Sequence, residues 1–202
     1  HGFESITKEL KIIEIENSQL EIESFRKIKH LVESTLSHVK FLKKFKTYYK
    51  NIYSLVENLN LEKSIVTEIN SVVDKFGFIK DNASPELLDI RKVINTTKSK
   101  IRQTFSSALS LYNNSGYLDE IKESTIDNRR VLAVKAMYRR KVKGQMMGSS
   151  KTGSIVYIEP QETLIQSRNL QDLLYDEDQE IKRILKELTA YLSPFVSTLS
   201  NY

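Results

Sequence analysis

The sequence contains no cysteine, and only three of its 202 residues are histidine. The absence of cysteine excludes disulfides and thiolate metal sites and is typical of proteins in a reducing cytoplasm. Apart from His1, the histidines are His30 and His38, and no third ligand accompanies them, so we expect no metal site. No apolar run could span a bilayer, and the mean hydropathy is −0.39. The sequence therefore predicts a soluble cytoplasmic protein without a membrane partner.

The chain begins with His1-Gly2 rather than methionine, and no secretory signal pattern follows. We interpret these two residues as a remnant of expression attached to an excised fragment. The length suits either one domain with a hydrophobic core or an elongated helical body that carries a small appendage.

Positive charge is concentrated in one short segment. The net charge is +5, from 31 basic and 26 acidic residues. The segment from Arg129 to Lys151 holds eight of the basic residues and no acidic one, which leaves the rest of the chain at −3, from 23 basic and 26 acidic residues. Such a segment can neutralise phosphates, or it can simply keep a solvated sheet edge from pairing with other chains. The absence of a compensating acid favours phosphate binding.

Glycine and proline are rare, and neither occurs between Gly2 and Gly77. This stretch is rich in helix formers, so we expect long helices. Within it, apolar residues recur at steps of three and four and predict a buried helix face, with lysines on the opposite, solvated face. The alternative is a nucleic-acid or membrane-surface motif. The apolar residues are Phe41, Phe45, Tyr48, Ile52, Leu55 and Leu59, and the lysines are Lys40, Lys43, Lys44, Lys46 and Lys50.

Turn residues divide the rest of the chain. We predict a helix over 62–76 that Gly77 closes as a left-handed cap, and a helix of about 29 residues that starts after Ser84 as N-cap and stops at 113–116. β-Branched and aromatic runs separated by glycines predict three antiparallel strands near 130–138, 142–147 and 154–158, with Ser149 to Gly153 as a hairpin turn. A last helix is expected over 162–192, with Leu174 among its buried residues.

Two long helices that flank a short sheet usually pack antiparallel, which would hold the sheet at their far end. The predicted fold class is mainly α: an elongated helical core, two long antiparallel helices and a small antiparallel β-sheet. We divide the chain into the helical core and ascending helix (3–126), the basic sheet (127–160), and the descending helix with the C-terminal end (161–202).

No group of residues points to catalysis. The Gly148–Gly153 stretch places Lys-Thr after small residues, but its glycines are wrongly spaced for a phosphate-binding loop and a strand follows it rather than a helix. The acidic run from Asp176 to Glu180 is expected to be solvated helix surface. So few histidines allow no Ser/His/Asp set. We therefore expect this chain to be non-catalytic.

Two segments resemble a known family. Gly77–Leu87 contains a glycine followed by Asp-x-Ala-Ser-Pro-Glu-Leu. Arg130–Pro160 contains Arg-Val-Leu-Ala-Val-Lys, then a glycine, then a small-residue turn before Ile-Val-Tyr-Ile-Glu-Pro. Both are similar to the bacterial MutS paralogues that lack the mismatch-reading domains, and the likeness extends over about 75–193. Ala133 stands where that family usually has proline, and Lys151 adds a charge to the turn.

The resemblance implies that the long helices are levers and that the sheet is the tip of a DNA clamp. It implies a DNA repair and recombination protein that dimerises and hydrolyses ATP, with magnesium, in a domain after Tyr202, where many members also carry a nuclease-like domain. The expected partner is double-stranded or branched DNA. Alternatives are a ribosomal RNA clamp with the same fold and a helical protein-interaction scaffold. The candidate DNA contacts are Lys135, Arg139, Arg140, Lys141, Lys143, Ser149, Ser150 and Lys151.

Overall fold

The computed structural model describes residues 4–202, so the His1-Gly2 interpretation lies outside the described residues. The chain is mostly helical with one small antiparallel sheet, as the sequence predicts. Among the described residues, no helix is long and apolar enough to cross a membrane. The helices are α1 Thr7–Ile13, α2 Ile22–Lys44, α3 Lys50–Val56, α4 Ser64–Val72, α5 Pro85–Asn114, α6 Gln161–Leu192 and α7 Val196–Ser200, and the strands are β1 Leu118–Ile126, β2 Arg129–Lys135, β3 Gly144–Ser149 and β4 Ile155–Pro160. Short 3₁₀-helices cover Ala136–Tyr138 and Ser193–Phe195.

The chain divides into two compact units. Unit 1 comprises the described residues through Leu88 together with Asp178–Tyr202, and unit 2 comprises Asp89–Glu177. The long helices α5 and α6 each contribute residues to both units.

The core of unit 1 combines parts of the chain that are far apart in the sequence. Apolar residues at helical spacing on α2 and α4 pack with residues from the C-terminal part of α6. Burying these side chains is the main favourable contribution to folding, because it removes their apolar surface from water. The fully or nearly fully buried members include Phe25, Ile28, Val32, Ile65, Ile69, Leu87, Ile184, Leu185, Leu188 and Leu192.

Ser84 caps α5, as predicted. Its hydroxyl oxygen accepts a hydrogen bond from the backbone N–H of Leu87 at 3.0 Å, and it donates to the Glu180 carboxylate at 2.6 Å. Pro85 occupies the first helical position, where its missing N–H is not needed. The helix ends at Asn114, and Gly116 takes a left-handed φ of 73° just beyond that end.

Gly77 does not cap a helix, which corrects the prediction for 62–76. The helix α4 ends earlier, at Val72, and a β-bridge joins Val73 to Ile79 around a tight turn. Gly77 lies in that turn with a φ of 88°. The prediction of a left-handed conformation at Gly77 is therefore correct, but this residue lies in a turn and not at the end of a helix. The Asp74 carboxylate accepts hydrogen bonds from the N–H groups of Phe76 and Phe78, and these bonds close the turn without a helix.

The predicted buried face between Phe41 and Leu59 is wrong. The helix α2 ends at Lys44 and a new helix starts at Lys50, so one continuous apolar face does not form. Phe41, Tyr48, Ile52 and Leu55 are exposed. The helix α2 buries another set of side chains, including Phe25 and Val39, and α3 buries none. Leu174 on α6 is also exposed, contrary to expectation, whereas Leu185, Leu188 and Leu192 are buried as predicted.

Unit 2 is built on a four-stranded antiparallel sheet in the order β1-β2-β4-β3, rather than the three strands predicted. The additional strand, β1, starts at Leu118 and lies at the edge of the sheet. Its only fully buried residue is Leu118, so it lacks the alternating apolar pattern that identifies a strand in a sequence. The turn between β1 and β2 is Asp127-Asn128, both at positive φ, which is typical of a two-residue hairpin.

The helix α5 covers one face of this sheet. Phe105 and Ala108 pack with Leu132, Val134 and other apolar residues of β2 and β4 in a second core. Further along α5 and α6, Arg91 contacts Glu177 at 2.7 Å and Thr104 contacts Thr163 at 3.2 Å. From Arg91 to Thr104, α5 advances by 13 residues, while the contacted residues on α6 go back by 14, from Glu177 to Thr163. The two helices therefore run in opposite directions over this span.

Candidate nucleic-acid interface

Strand register divides the predicted contact residues between two ends of the sheet. Lys135 at the end of β2 pairs with Ile155 at the start of β4, and Gly144 at the start of β3 pairs with Pro160 at the end of β4. Five steps along β4 separate these positions, which corresponds to about 17 Å. The end that holds Lys135 and the β3–β4 turn is called the turn end below, and the end that holds Gly144 is called the helix end, because α6 follows Pro160.

The turn end brings together Lys135, Ser149, Ser150 and Lys151. The β3–β4 turn lies where the sequence predicts it, and the Gly153 N–H donates to the Ser150 carbonyl at 2.9 Å. The N–H of Ile155 donates to the Ser150 hydroxyl oxygen at 3.1 Å, so this predicted contact residue also stabilises the turn itself. Ala136 donates its N–H to Ser154 at 2.9 Å and ties the end of β2 to the same turn. The Lys135 and Lys151 side chains are exposed.

A connecting segment, residues 136–142, leads from the turn end to the helix end and carries three of the four other predicted contact residues. It starts as a 3₁₀-helix, and the N–H of Lys141 donates to the Tyr138 carbonyl at 2.8 Å. Tyr138 stacks on Tyr117 with ring centroids 4.8 Å apart, and Val142 is buried in the second core. These anchors hold the segment against unit 2. The exposed basic side chains along it are Arg139, Arg140 and Lys141.

Lys143 lies apart from the turn end. Its N–H donates to the Tyr112 hydroxyl at 3.2 Å, and its carbonyl accepts from the N–H of Gln161, the first residue of α6, at 3.2 Å. The structure therefore arranges the eight predicted residues as three groups: four at the turn end, three on the connecting segment, and Lys143 at the helix end.

Two of the eight basic residues between Arg129 and Lys151 are paired with carboxylates, which corrects the picture of an uncompensated window. Arg129 contacts the buried Glu159 of β4 at 3.1 Å. Arg130 forms an ion pair with Glu123 of β1, and its guanidinium lies 4.1 Å from the centre of the Phe105 ring. The acids come from strands outside the window, so the sequence count did not reveal them.

The other six basic residues of the window are exposed and have no carboxylate within ion-pair distance among residues 4–202. An anion that approaches such a side chain does not have to displace an internal partner. These six residues, called the open cations below, are Lys135, Arg139, Arg140, Lys141, Lys143 and Lys151.

Sequence reasoning missed the residues that position this surface. Tyr117 and Tyr138 are 21 residues apart, yet their stacked rings fix the start of the connecting segment. Glu159 is fully buried, and besides Arg129 it accepts a hydrogen bond from Ser167 of α6 at 2.7 Å. The Glu-Pro pair after a run of β-branched residues marks the end of a strand, but nothing in the sequence shows that the Glu159 carboxylate is buried. No cluster of three or more metal-ligating side chains occurs in the part of the chain that the structure describes.

No protein-family model matches the chain. The chain is 28% identical to a protein named Endonuclease MutS2 from Aquifex aeolicus over 98% of its own length, and 30% identical to one of the same name from Streptococcus equi subsp. equi over 99%. It is 32% identical over 75% of its length to the protein of that name from Lacticaseibacillus casei. The chain spans 26%, 25% and 19% of these proteins, respectively, about a quarter of their length or less. The similarity to proteins of one name, over 75% to 99% of the chain, supports a relation to the MutS family.

Proposed function

We propose that this chain is the non-catalytic lever and clamp portion of a MutS-type DNA repair ATPase, and that it grips duplex or branched DNA through the phosphate backbone. The observation that carries the proposal is the set of six open cations on one sheet and its connecting segment. Lys and Arg side chains that neutralise phosphates release condensed counterions and bind without reading the sequence. The MutS2 names of the relatives support DNA as the partner.

In this proposal α5 and α6 are the levers. The contacts Arg91–Glu177 and Thr104–Thr163 support an antiparallel pair, and each helix is continuous over 30 residues or more. In the full-length protein, a homodimer would bind ATP and magnesium outside this chain. Nucleotide-dependent motion would reach the sheet along the two helices, because packed helices transmit small shifts as rigid elements.

Removing the charge of the connecting segment tests the proposal. We expect the variant Arg139→Ala, Arg140→Ala, Lys141→Ala to bind a fluorescein-labelled 30-base-pair duplex at least tenfold more weakly, measured by anisotropy at low salt. The control variant Lys8→Ala, Lys11→Ala, Lys186→Ala removes the same charge from exposed positions of unit 1 and should bind nearly as the unmodified chain does.

Salt dependence provides the second readout. Each phosphate contact contributes about −0.9 to the slope of log K against log salt, so six contacts predict a slope of up to about −5. The connecting-segment variant should have a shallower slope than the control variant. Equal affinity of the two variants for duplex, or an affinity that salt does not change, would contradict the proposal.

Ribosomal RNA is the second candidate partner, because the open cations have no base-specific arrangement and would meet RNA phosphates equally well. Competition distinguishes the two: unlabelled duplex DNA should displace the labelled duplex at lower concentration than purified ribosomes do. A helical scaffold for a protein partner predicts no nucleic-acid binding even at low salt.

A further inference from the structure

A second basic surface lies in unit 1, on the end of α2 and the turn that follows. From Ser34 to Val56 the sequence contains five lysines and no acidic residue. All five lysines are exposed, and no described carboxylate lies within ion-pair distance of them. The Lys-aromatic surface, as it is called below, consists of Lys40, Lys43, Lys44, Lys46 and Lys50 with Phe41, Phe45, Tyr48 and Tyr49.

Three of the four rings of this surface are exposed to solvent, and the Phe45 ring is half-buried. Phe41 is 53% exposed, Tyr48 84% and Tyr49 45%. Large apolar side chains that are exposed one by one are ordinary, but here they are neighbours. The Phe41 ring centre is 4.9 Å from that of Phe45 and 6.4 Å from that of Tyr49. The rings of Phe41, Phe45 and Tyr49 therefore form one continuous patch, and Tyr48 precedes Tyr49 in the chain.

The backbone holds this patch in place. The N–H groups of Tyr48 and Tyr49 both donate to the Phe45 carbonyl, at 3.0 and 3.1 Å. The N–H of Tyr53 donates to the Tyr49 carbonyl at 2.8 Å and starts α3. Lys44 places its ammonium group 5.5 Å from the centre of the Phe45 ring, so one cation already lies beside an aromatic ring. Because these bonds fix the backbone that carries the rings before any ligand arrives, binding need not order that backbone.

We propose that the Lys-aromatic surface binds single-stranded nucleic acid, with unpaired bases stacked on the exposed rings and phosphates at the lysines. Aromatic rings interleaved with cations are the combination that non-specific single-strand binding requires, because every base has a face that can stack. Paired bases already stack on each other and offer no free face. The site therefore differs in ligand from the open cations of unit 2, and this inference does not rest on the function proposed for them.

The composition of the surface favours nucleic acid over the other classes of partner. The centres of protein–protein interfaces are depleted in lysine, whereas here Phe41, Phe45 and Tyr49 each have a lysine next to them in the sequence. A helix that lies in a membrane interface needs a continuous apolar face, whereas here the chain turns between Lys44 and Lys50 and α3 has only seven residues. A nucleic acid offers phosphates to the lysines and bases to the rings, so one ligand can bind both parts of the surface.

Two labelled oligonucleotides test the proposal: a 20-nucleotide oligothymidylate and an abasic oligonucleotide with the same number of phosphates. We expect the 202-residue chain to bind oligothymidylate at least tenfold more tightly than the abasic strand, measured by anisotropy. The variant Phe41→Ala, Tyr48→Ala, Tyr49→Ala should lose about tenfold or more in affinity for oligothymidylate and none for the abasic strand. The variant Lys43→Gln, Lys44→Gln, Lys46→Gln should weaken the binding of both strands.

The matched control is Phe76→Ala, Phe78→Ala, which removes two exposed rings from another part of unit 1 and should leave both affinities unchanged. The connecting-segment variant of unit 2 should change the affinities for the two strands by the same factor, because the open cations contact phosphates and not bases. Equal binding of the two strands, or an aromatic variant that binds oligothymidylate normally, would overturn the proposal. It would also be overturned if the aromatic variant instead lost binding to phosphatidylserine vesicles, or lost self-association in sedimentation, because the rings would then serve a membrane or a second copy.

Discussion

Glu159 is a fully buried carboxylate whose charge is balanced by a single arginine. Arg129 contacts one of its oxygens at 3.1 Å, and the Ser167 hydroxyl donates to the other at 2.7 Å. Burying a charge is unfavourable unless it is paired and hydrogen-bonded, and removing one partner leaves the other uncompensated. The ion pair of Arg129 and Glu159 joins β2 to β4, and the hydrogen bond from Ser167 joins α6 to the same carboxylate. Glu159 therefore connects three elements of unit 2.

We expect Arg129→Ala to lower the free energy of unfolding by about 3 kcal/mol, because it leaves the buried Glu159 carboxylate without its countercharge. Urea unfolding followed by circular dichroism measures this. The control is Lys92→Ala in the same unit, which removes one side of an exposed ion pair with Asp89 and should lower that free energy by less than about 1 kcal/mol. An Arg129→Ala effect no larger than the Lys92→Ala effect would contradict this account.

Single residues show how far the sequence predicts the site. Exposure of the six open cations follows from their charge, since lysine and arginine side chains are rarely buried without a partner. The pairing of Arg129 and Arg130 could not be predicted, because Glu159 is 30 residues from Arg129 and Glu123 belongs to a strand that the sequence does not reveal. The predicted role of Ser150 as a DNA contact remains a prediction, although its hydroxyl has a role in the turn.

At the scale of elements, strands β3 and β4 leave no room for a side chain where Gly144 pairs with Pro160. An added Cβ at Gly144 would lie 2.1 Å from the backbone oxygen of Glu159, far closer than any normal contact. Glycine is therefore required for β3 to reach β4 at the helix end. Gly148, in the same strand, would place a Cβ 3.6 Å from the nearest side-chain atom, which is an ordinary contact.

We expect Gly144→Ala to destabilise unit 2 by more than about 1 kcal/mol, because the backbone of β3 must move away from β4 to make room. Gly148→Ala in the same strand should change stability by less than about 0.5 kcal/mol. Thermal unfolding and hydrogen exchange of the β3 and β4 amides measure both effects. Equal exchange rates in the two variants would show that the close approach does not matter.

Elements differ in how well a sequence reveals them. The helix α5 was predicted almost to the residue because Ser84, Pro85 and Gly116 give local signals at its ends. The strand β1 was missed because it lies at a sheet edge and carries polar side chains on both faces. The apolar residues from Phe41 to Leu55 show the opposite error. Helical periodicity identifies one face of a helix, but the burial of that face depends on a second element that covers it. Here the periodic residues are divided between α2 and the separate helix α3, and α3 buries none of its side chains.

At the scale of the molecule, three carboxylates with lowered pKa values all lie in unit 1. Hydrogen bonding from Ser64 lowers the pKa of Glu62, the N–H of Phe78 lowers the pKa of Asp74, and Arg183 lowers the pKa of Glu180. A carboxyl whose pKa is lower when folded binds a proton more weakly than in the unfolded chain, where the pKa is about 4. These groups therefore stabilise unit 1 fully above pH 5 to 6, and the contribution is lost as the pH falls through their folded pKa values.

We expect the melting temperature of the chain to fall as the pH is lowered from about 5 to about 3. Asp74→Asn should lower the melting temperature at pH 6 and make it less dependent on pH in that range, because one of the three groups no longer titrates. Asp172→Asn, which changes an exposed aspartate on α6 without a described hydrogen bond, serves as the control. Identical pH profiles for the two variants would contradict the role given to Asp74.

The division of the chain also determines the order in which its parts can be completed during synthesis. The core of unit 1 needs Ile184, Leu185, Leu188 and Leu192, which the ribosome adds after every residue of unit 2. The strands that carry the open cations can therefore pair while unit 1 still lacks one side of its core. A nascent chain arrested near residue 177 would contain the complete sheet, while the helices of unit 1 would still lack the C-terminal part of α6.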